Sequence, residues 1–278
     1  GQQYGNTISM RGHSVEMNST ADKLVVGDYY GNLVGGGTNG GIASTYHYIN
    51  QQWQLEGTVT MGAGMLFGAD VGISDNSKVI VGAPGYSGNT GSVFIYGSTN
   101  PSNISLDLSD YGATTNDRFG YAVAISRDGN IAAAGAWGGK YVKVYQFNGT
   151  SFTQMGPTIS SSSSVYFGYS VALSDDGTRL AVGDPLYNQV GSGLGVVRIY
   201  EWDGNSWIQI GQDINGVVNG ASGTSGYDEA GAAVDLSFNG DIVAIGATYN
   251  STNGYHHGAA RIYQFDGIIH LAAESHVD

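Results

Sequence analysis

Short apolar stretches, separated by turns rich in glycine, asparagine and serine, recur along the whole chain. In the stretch FGYSVALS, alternate positions put Phe167, Tyr169, Val171 and Leu173 on one face and small residues on the other. Further stretches, such as RLAVG and KVIVG, are continuous apolar runs rich in β-branched residues, as in buried strands. No segment of 12 or more residues keeps a helical period of 3.6, so the pattern predicts an all-β chain.

The first of these stretches occurs five times. Its glycine stands at positions 12, 68, 120, 168 and 231, at intervals of 48 to 63 residues and about 55 on average. Each copy precedes three more apolar stretches in the same order, which suits one four-stranded blade of a β-propeller. The sequence therefore predicts one domain over residues 1–278, a β-propeller of five four-stranded antiparallel blades. An arc of a longer propeller is the alternative. The repeats span approximately 5–60, 61–112, 113–160, 161–222 and 223–278.

Two of the repeats carry a recognisable pair of motifs. Phe67-Gly68 and Phe167-Gly168 open a first strand, and Gly82-Ala83-Pro84 and Gly183-Asp184-Pro185 close the second. These motifs resemble the FG-GAP repeats of integrin-α-type β-propellers, strongly in three repeats and more weakly in the first and fifth. The resemblance implies a propeller, usually extracellular, that serves adhesion or ligand binding without catalysis. It is specific for the fold and says little about function.

The chain departs from that family at the calcium loop. Calcium-binding members carry an extended Asp-x-Asp-x-Asp-Gly loop between the first two strands, because a hard cation needs six to eight oxygen ligands. Here the connection around Asp175 and Asp176 is only SDDG, and the other repeats have similarly short turns. The pattern predicts a hairpin turn with glycine at a positive φ. No metal and no other cofactor is therefore expected.

The last 13 residues show a second, local resemblance. Residues 266–278, DGIIHLAAESHVD, resemble a strand–loop segment of dTDP-glucose 4,6-dehydratases. That family needs an N-terminal glycine-rich Rossmann unit, which this sequence lacks, so none of its activity is carried over. A gene-fusion boundary, a sequence-assembly artefact and chance stay open as origins of the tail. The fourth strand of the fifth repeat is expected near Ile268–Ala272.

Composition removes several classes of partner. The net charge is −13 with only 10 Lys and Arg residues, which argues against nucleic acid and anionic membrane surfaces as partners. No cysteine is present, so disulfides, thiolate metal sites and cysteine nucleophiles are excluded. No apolar run approaches the roughly 18 residues of a membrane span, and no membrane insertion is expected. Because it starts with Gly1 rather than Met, the chain is expected to be a processed or excised piece of a longer product.

Aromatic residues follow the second strand of each repeat. In a propeller these loops should gather on one face of the ring, where aromatic side chains can stack on sugars or hold a protein. The alternative is that the aromatic rings wedge between blades. The predicted ligand-binding residues are Tyr29, Tyr30, Tyr86, Trp137, Tyr187 and Tyr249.

Three carboxylates stand where the innermost strand otherwise carries small residues. Glu16 and Asp235 replace Ala172, and Asp70 replaces Ser170. If the fifth blade meets the first, the three carboxylates lie on consecutive blades near the axis. Paired carboxylates several ångströms apart can hydrolyse glycosidic bonds. The alternative is that they accept hydrogen bonds from backbone N–H groups between blades.

Other motifs are weaker. The segment Gly35–Gly40 satisfies G-x-G-x-x-G, but a strand rather than a helix follows, so it is expected to be a loop. The pair His256-His257 has no metal-site spacing and is expected to be a solvated loop. Four sequons permit N-glycosylation if the protein is exported, but do not argue for export. They are at Asn18, Asn103, Asn148 and Asn250.

Three functional hypotheses follow. The leading one is a non-catalytic, extracellular or surface-associated propeller that binds a glycan or protein ligand in adhesion or recognition, and that assembles with copies of itself into a homo-oligomer or filament. The second is a structural subunit of a surface layer, filament or viral appendage. The third is a carbohydrate-active enzyme that uses the axial carboxylates. The first two predict a protein that is not an enzyme.

Overall fold

A computed structural model describes residues 12–31, 40–98, 105–187, 193–217, 228–249 and 258–276. For residues 98 and 269–276 the description covers the backbone only. The described residues form five antiparallel sheets and a single helical turn, α1 (Tyr86–Asn89). The predicted all-β fold is confirmed, and each sheet lies within the bounds of one predicted repeat.

Sheets one to three take up the first half of the chain. Each begins with a short strand, followed by a hairpin to a longer apolar strand. Sheet one contains β1 (Ser14–Met17), β2 (Lys23–Asp28), β3 (Ile42–Ile49) and β4 (Gln52–Thr60). Sheet two contains β5 (Val71–Ile73), β6 (Val79–Ala83), β7 (Ser92–Ser98) and β8 (Ser105–Tyr111). Sheet three contains β9 (Ala122–Ile125), β10 (Ile131–Ala136), β11 (Tyr141–Phe147), β12 (Phe152–Gln154) and β13 (Ile159–Ser160), with both β12 and β13 paired to β11.

Sheets four and five repeat the same up-and-down order. Sheet four contains β14 (Ser170–Leu173), β15 (Arg179–Asp184), β16 (Val196–Trp202) and β17 (Trp207–Asn215). Sheet five contains β18 (Ala230–Leu236), β19 (Ile242–Ala247), β20 (Ala259–Phe265) and β21 (Ile269–His276). The strands β1, β5, β9, β14 and β18 are called the first strands below. No helix in the described ranges is long and apolar enough to cross a membrane.

Successive sheets pack face to face in chain order. Each of four interfaces has its own apolar core, such as the one in which Val144 of sheet three meets Phe167 and Leu180 of sheet four. At each of these interfaces, a glycine on the second strand of one sheet lies against the backbone of a glycine at or just before the first strand of the following sheet. A Cβ built on that glycine would stand 1.9 to 2.2 Å from a glycine carbonyl oxygen of the next sheet. The pairs are Gly27 with Gly68, Gly82 with Gly120, Gly135 with Gly168, and Gly183 with Gly231.

The fifth sheet does not meet the first in this way. Gly246 is the equivalent glycine of sheet five, and the nearest atom to a Cβ built there is 3.4 Å away, in Ala233 of the same sheet. Among the described residues, β1 and β18 also lack the extensive contact with each other that joins the first strands of the other neighbouring sheets. As far as the described residues show, the five sheets therefore form an arc that is open between sheets five and one.

Two strand boundaries differ from the sequence expectation. The first strand of sheet four begins at Ser170 rather than at Phe167, because Gly168 has a φ of 87° and turns the chain there. Phe167 is nevertheless fully buried, between sheets three and four. The fourth strand of sheet five runs from Ile269 to His276, so it includes most of the C-terminal tail.

Candidate active site

The first strands of all five sheets line one cavity of about 560 Å³. This position follows from the sheet order, since the first strand is the innermost strand of every sheet. Small residues such as Ala124 and Ala172 form much of the wall, which leaves room in the centre. All three carboxylates singled out in the sequence, Glu16, Asp70 and Asp235, line the cavity.

Glu16 lies half-buried on β1, on the face that packs against sheet two. Its Oε2 lies 3.3 Å from the place where a Cβ on Gly72 would stand, so the glycine of β5 leaves space for the carboxyl group. Burial, followed by the nearby charges of Asp70 and Asp235, raises the pKa of Glu16 to about 8, although a hydrogen bond from the Ile73 backbone opposes the shift. Glu16 is therefore protonated at neutral pH.

Asp70 links three sheets. It accepts hydrogen bonds from Ser14 Oγ of sheet one at 2.7 Å and from the Val123 backbone N–H of sheet three at 2.7 Å. It also accepts from the Val71 N–H at 3.1 Å. Burial raises the pKa of Asp70, and the hydrogen bonds and His13 lower it only in part. These contacts match the alternative interpretation, in which the carboxylate accepts hydrogen bonds between neighbouring sheets.

Asp235 differs from the other two carboxylates because it is exposed to the cavity. Among the described residues, it accepts a hydrogen bond from the Leu236 backbone N–H, at 2.9 Å. Its charge helps to raise the pKa of Glu16. The cavity thus holds a protonated carboxyl group and an accessible carboxylate, which are the two partners that general acid–base catalysis needs.

Two aromatic residues of the cavity were not predicted as site residues. Tyr121 and Tyr169 stand one residue after the glycine of β9 and β14, and both line the cavity. Their rings lie 4.9 Å apart, and Tyr121 Oη donates a hydrogen bond to Tyr169 Oη at 3.1 Å. The sequence signal was the aromatic residue that follows Phe-Gly in both repeats, although it was assigned to the packing face of the sheet. His13, the equivalent residue of sheet one, also lines the cavity.

The six predicted loop aromatics have different surroundings. Tyr29 packs against Tyr30 and His13, Tyr86 against Tyr111, and Trp137 against Tyr121 and Tyr166. Tyr187 is buried, with the Arg198 guanidinium 4.9 Å from its ring centre. Tyr249 is exposed and borders a shallow groove with Tyr169 and Tyr166. The Trp137 Nε1 is buried and has no hydrogen-bond partner among the described residues. Their role in ligand binding stays a prediction.

Among the remaining sequence candidates, the two that the structure describes with their side chains do not line the cavity. Asn18 is buried, and its Nδ2 donates to Thr20 and Asp22. Asn148 accepts the backbone N–H groups of Thr150 and Ser151 within a hairpin. Outside the described residues lie Asn103, Asn250, His256-His257 and all of the Gly35–Gly40 motif except Gly40.

The SDDG segment forms the predicted hairpin turn. Asp176 Oδ1 accepts hydrogen bonds from Ser174 Oγ at 2.7 Å and from the Thr178 N–H at 3.0 Å, and Gly177 has a φ of 68°. Asp175 faces Arg127 of the neighbouring turn at 3.4 Å. Within the described ranges, no cluster of three His, Cys, Asp or Glu residues is placed to hold a metal ion.

Comparison with known proteins identifies the fold by structure alone. No protein-family model and no curated protein matches the sequence. A putative 6-phosphogluconolactonase from Bacteroides uniformis is similar in structure, with a TM-score of 0.61 and 14% identity over 95% of this chain and 71% of that one. A protein from Lactobacillus plantarum is similar with a TM-score of 0.60 and 16% sequence identity, again over 95% of this chain and 71% of that one. A functionally unknown protein from Desulfotomaculum acetoxidans is similar with a TM-score of 0.57 and 11% sequence identity. The similarity covers 99% of this chain and 77% of that one.

These findings correct the leading functional hypothesis. The expectation of a non-catalytic protein for adhesion or recognition is wrong, because one of the similar structures is named a putative 6-phosphogluconolactonase. The physical reason is that the sequence motifs specify the sheets and their packing, whereas function depends on the site that the sheets enclose. The FG-GAP resemblance and the extracellular location stay predictions.

Proposed function

We propose that the five sheets are consecutive blades of a β-propeller and that the chain is a carbohydrate-active enzyme, a hydrolase whose site is the axial cavity. The sheet order, the face-to-face packing and the innermost position of the first strands support the propeller. The name of the Bacteroides uniformis structure supports a sugar lactone as the substrate.

The pKa of Glu16 carries this proposal. With a pKa of about 8, Glu16 holds a proton at neutral pH and can donate it to the oxygen that leaves the substrate carbonyl carbon. Asp235 is the accessible carboxylate and takes a proton from the attacking water. Water is added across the ring C–O bond: the hydroxyl group joins the carbonyl carbon, and the ring oxygen becomes a hydroxyl group.

The other lining residues would position the substrate. Asp70 is held by hydrogen bonds from three sheets and keeps β1 close to β5 and β9. The Tyr121 and Tyr169 rings give the cavity wall two flat surfaces on which a sugar ring can pack.

The test is hydrolysis of a panel of aldonolactones, with p-nitrophenyl glycosides as the second substrate class and spontaneous lactone opening subtracted. We expect Glu16→Gln and Asp235→Asn each to lower kcat by about 100-fold or more. Asp107→Asn, which changes a carboxylate of β8 outside the cavity, should leave kcat unchanged. Wild-type activity should fall as the pH rises through about 8, because Glu16 then loses its proton.

Two results would contradict the proposal. One is full activity of the doubly substituted Glu16→Gln, Asp235→Asn chain on any substrate that the wild type hydrolyses. The other is the absence of wild-type hydrolysis across both substrate classes. Circular dichroism of each variant separates a loss of chemistry from a loss of folding.

A further inference from the structure

The two ends of the arc each expose a sheet face that is buried everywhere else in the molecule. The leading face is that of sheet one, with Val15, Met17, Leu24 and Val26 on β1 and β2. The trailing face is that of sheet five, with Ile242, Ala244 and Ile262 on β19 and β20, and with Asp235 of β18 beside Ala244 at the edge that borders the cavity. Cross-strand pairing puts Val15 beside Val26 and Met17 beside Leu24 on the leading face, and Ala244 beside Ile262 on the trailing face.

The repeat supplies an internal reference for the trailing face. Ile242 and Ile262 correspond to Ile131 and Val144 of sheet three, which pack against sheet four. Ile131 is 6% exposed and Val144 2%, whereas Ile242 is 42% exposed and Ile262 41%. The same apolar residue types are therefore kept where no described sheet covers them. An apolar side chain left in water at such positions forgoes the free energy that burial gives its counterparts.

The leading face shows the same contrast. Val15 and Leu24 correspond to Val171 and Leu180 of sheet four, and these two residues pack against sheet three. Val171 is 8% exposed and Val15 52%. The glycine geometry agrees with this contrast. Gly246 is a glycine, like the residues that allow close backbone approach at the other four junctions, but no other described sheet approaches it.

We infer that these two faces bind one occupant, a segment of two further four-stranded sheets of the same repeat that completes the ring. A sheet of this repeat carries a leading face and a trailing face, so it fits between sheets five and one without any new kind of contact. A second copy of the whole chain would bring five sheets, more than the roughly two repeats by which the Bacteroides uniformis structure exceeds the aligned part.

The size of the occupant follows from the similar structures. This chain aligns over 95% of its 278 residues, about 264, and these make up 71% of the Bacteroides uniformis structure, which is therefore about 372 residues long. The remainder, about 108 residues, equals roughly two repeats of 55 residues, whereas the same arithmetic for the Desulfotomaculum acetoxidans structure leaves about 82 residues, or roughly one and a half repeats. Repeat architectures whose sheets each contact only their neighbours accept whole added repeats.

The experiment adds repeats to the chain. Three chains are made in which copies of repeats are joined after residue 276. The added copy is residues 113–160 for one repeat, residues 61–160 for two and residues 61–222 for three. The melting temperature and the sedimentation of each chain are measured. We expect the two-repeat chain to melt at least about 10 °C above the original and above the one- and three-repeat chains, and to sediment as a monomer. Both readouts are independent of hydrolysis, so they are separate from the test of the proposed function.

Face variants tighten the test. Val15→Glu and Ile262→Glu should lower the melting temperature of the two-repeat chain by about 5 °C or more, and that of the original chain by less than about 2 °C. Ile208→Glu is the matched control, because Ile208 is an exposed apolar residue of β17, away from both faces, and it should have little effect in either chain.

Three outcomes would overturn the inference. The first is a melting temperature that does not depend on the number of added repeats. The second is a maximum with one or three added repeats. The third is a stable dimer of the original chain that dissociates on Val15→Glu or Ile262→Glu, since the occupant would then be a second copy.

Discussion

Glu16 shows how one substitution in a repeat changes its chemistry. The equivalent residue in sheet four is Ala172, a small residue of the same cavity wall. A glutamate at this position reaches over Gly72 into a space shared with two other carboxylates, and burial with neighbouring negative charge opposes its ionisation. The scaffold thus turns an ordinary surface acid into a proton donor at neutral pH.

The raised pKa of Glu16 makes folding stability depend on pH. The folded chain keeps this proton up to about pH 8, while the unfolded chain loses it near pH 4.5, so the folded state binds more protons between these values. The contribution of Glu16 is therefore fully present below pH 4.5 and is lost as the pH rises to 8. Between pH 5 and 8.5, we expect the free energy of urea unfolding to fall by on the order of 3 kcal/mol more in the wild type than in Glu16→Gln. Equal pH dependence of the two chains would exclude the shift.

Asp70 is expected to stabilise the fold as well as shape the cavity. Asp70→Ala leaves the Val123 N–H and the Ser14 hydroxyl group without their acceptor, and we expect a loss of about 2–3 kcal/mol in the free energy of unfolding. Ser14→Ala removes only the hydroxyl hydrogen bonds and should cost about 1 kcal/mol. Chemical denaturation measures both, and similar losses for the two variants would show that Asp70 does not bridge the sheets.

The sequence predicted which carboxylates lie near one another but not how they differ. Glu16, Asp70 and Asp235 could be found because each replaces a small residue at an innermost position of the repeat. Their protonation could not be predicted, because it depends on atoms of several sheets at once, such as the Val123 N–H that reaches Asp70 from sheet three. Tyr187 shows the same limit, since its burial beside Arg198 depends on packing across the sheet.

At the scale of the strand, backbone contact sets the spacing between sheets. The second-strand glycines stand so close to the next first strand that no side chain fits between them. At all four junctions the atom nearest to the added Cβ is the main-chain carbonyl oxygen of the partner glycine, although Ser170 Oγ lies almost as close to Gly183. Sheet spacing at these points is therefore set mainly by the backbone.

Replacing one of these glycines tests this contact. Gly135→Ala would place a Cβ 2.1 Å from the Gly168 carbonyl oxygen, and we expect it to lower the free energy of unfolding by about 3 kcal/mol or more. Gly246→Ala is the matched control, because the nearest atom to its Cβ is 3.4 Å away, and it should change stability by less than about 1 kcal/mol in either direction. Thermal and urea unfolding of both variants measure the difference. If Gly135→Ala proves as mild as Gly246→Ala, the junction is not held by close backbone approach.

The repeat pattern predicted the elements better than their ends. Five sheets of four short strands are predicted from the spacing of the glycines and the order of the apolar stretches, and the structure differs in sheet three, where both β12 and β13 pair with β11. The start of β14 was placed three residues too early, because Phe167 is apolar and alternates correctly, yet Gly168 at a positive φ already turns the chain. Periodicity reports which residues are buried, and the backbone angle decides where the strand begins.

At the scale of the whole molecule, the middle of the arc is packed on both sides and its ends on one side. All six residues of β10 in sheet three are buried, whereas β19 in sheet five alternates between buried and exposed positions. Since each sheet packs mainly on its neighbours in sequence, the ends can open without disturbing the middle. This arrangement predicts unequal local stability along the chain.

Hydrogen exchange can measure this gradient. We expect the β10 amide groups to exchange at least about 100-fold more slowly than those of β2 and β19, because their opening requires the loss of two apolar interfaces. Native-state exchange followed by mass spectrometry resolves the three strands. Uniform protection would mean that the five sheets unfold as one cooperative unit.

The glycine junctions also bear on how such a chain can evolve. A junction that needs only a glycine opposite a backbone carbonyl leaves most other positions free to drift, provided that they stay apolar or small. Variants of this chain that keep the junction glycines and the spacing between them could then change many other residues and still preserve the arc. The shape would be carried by a handful of glycines, and the residues that line the cavity could be exchanged to alter the chemistry.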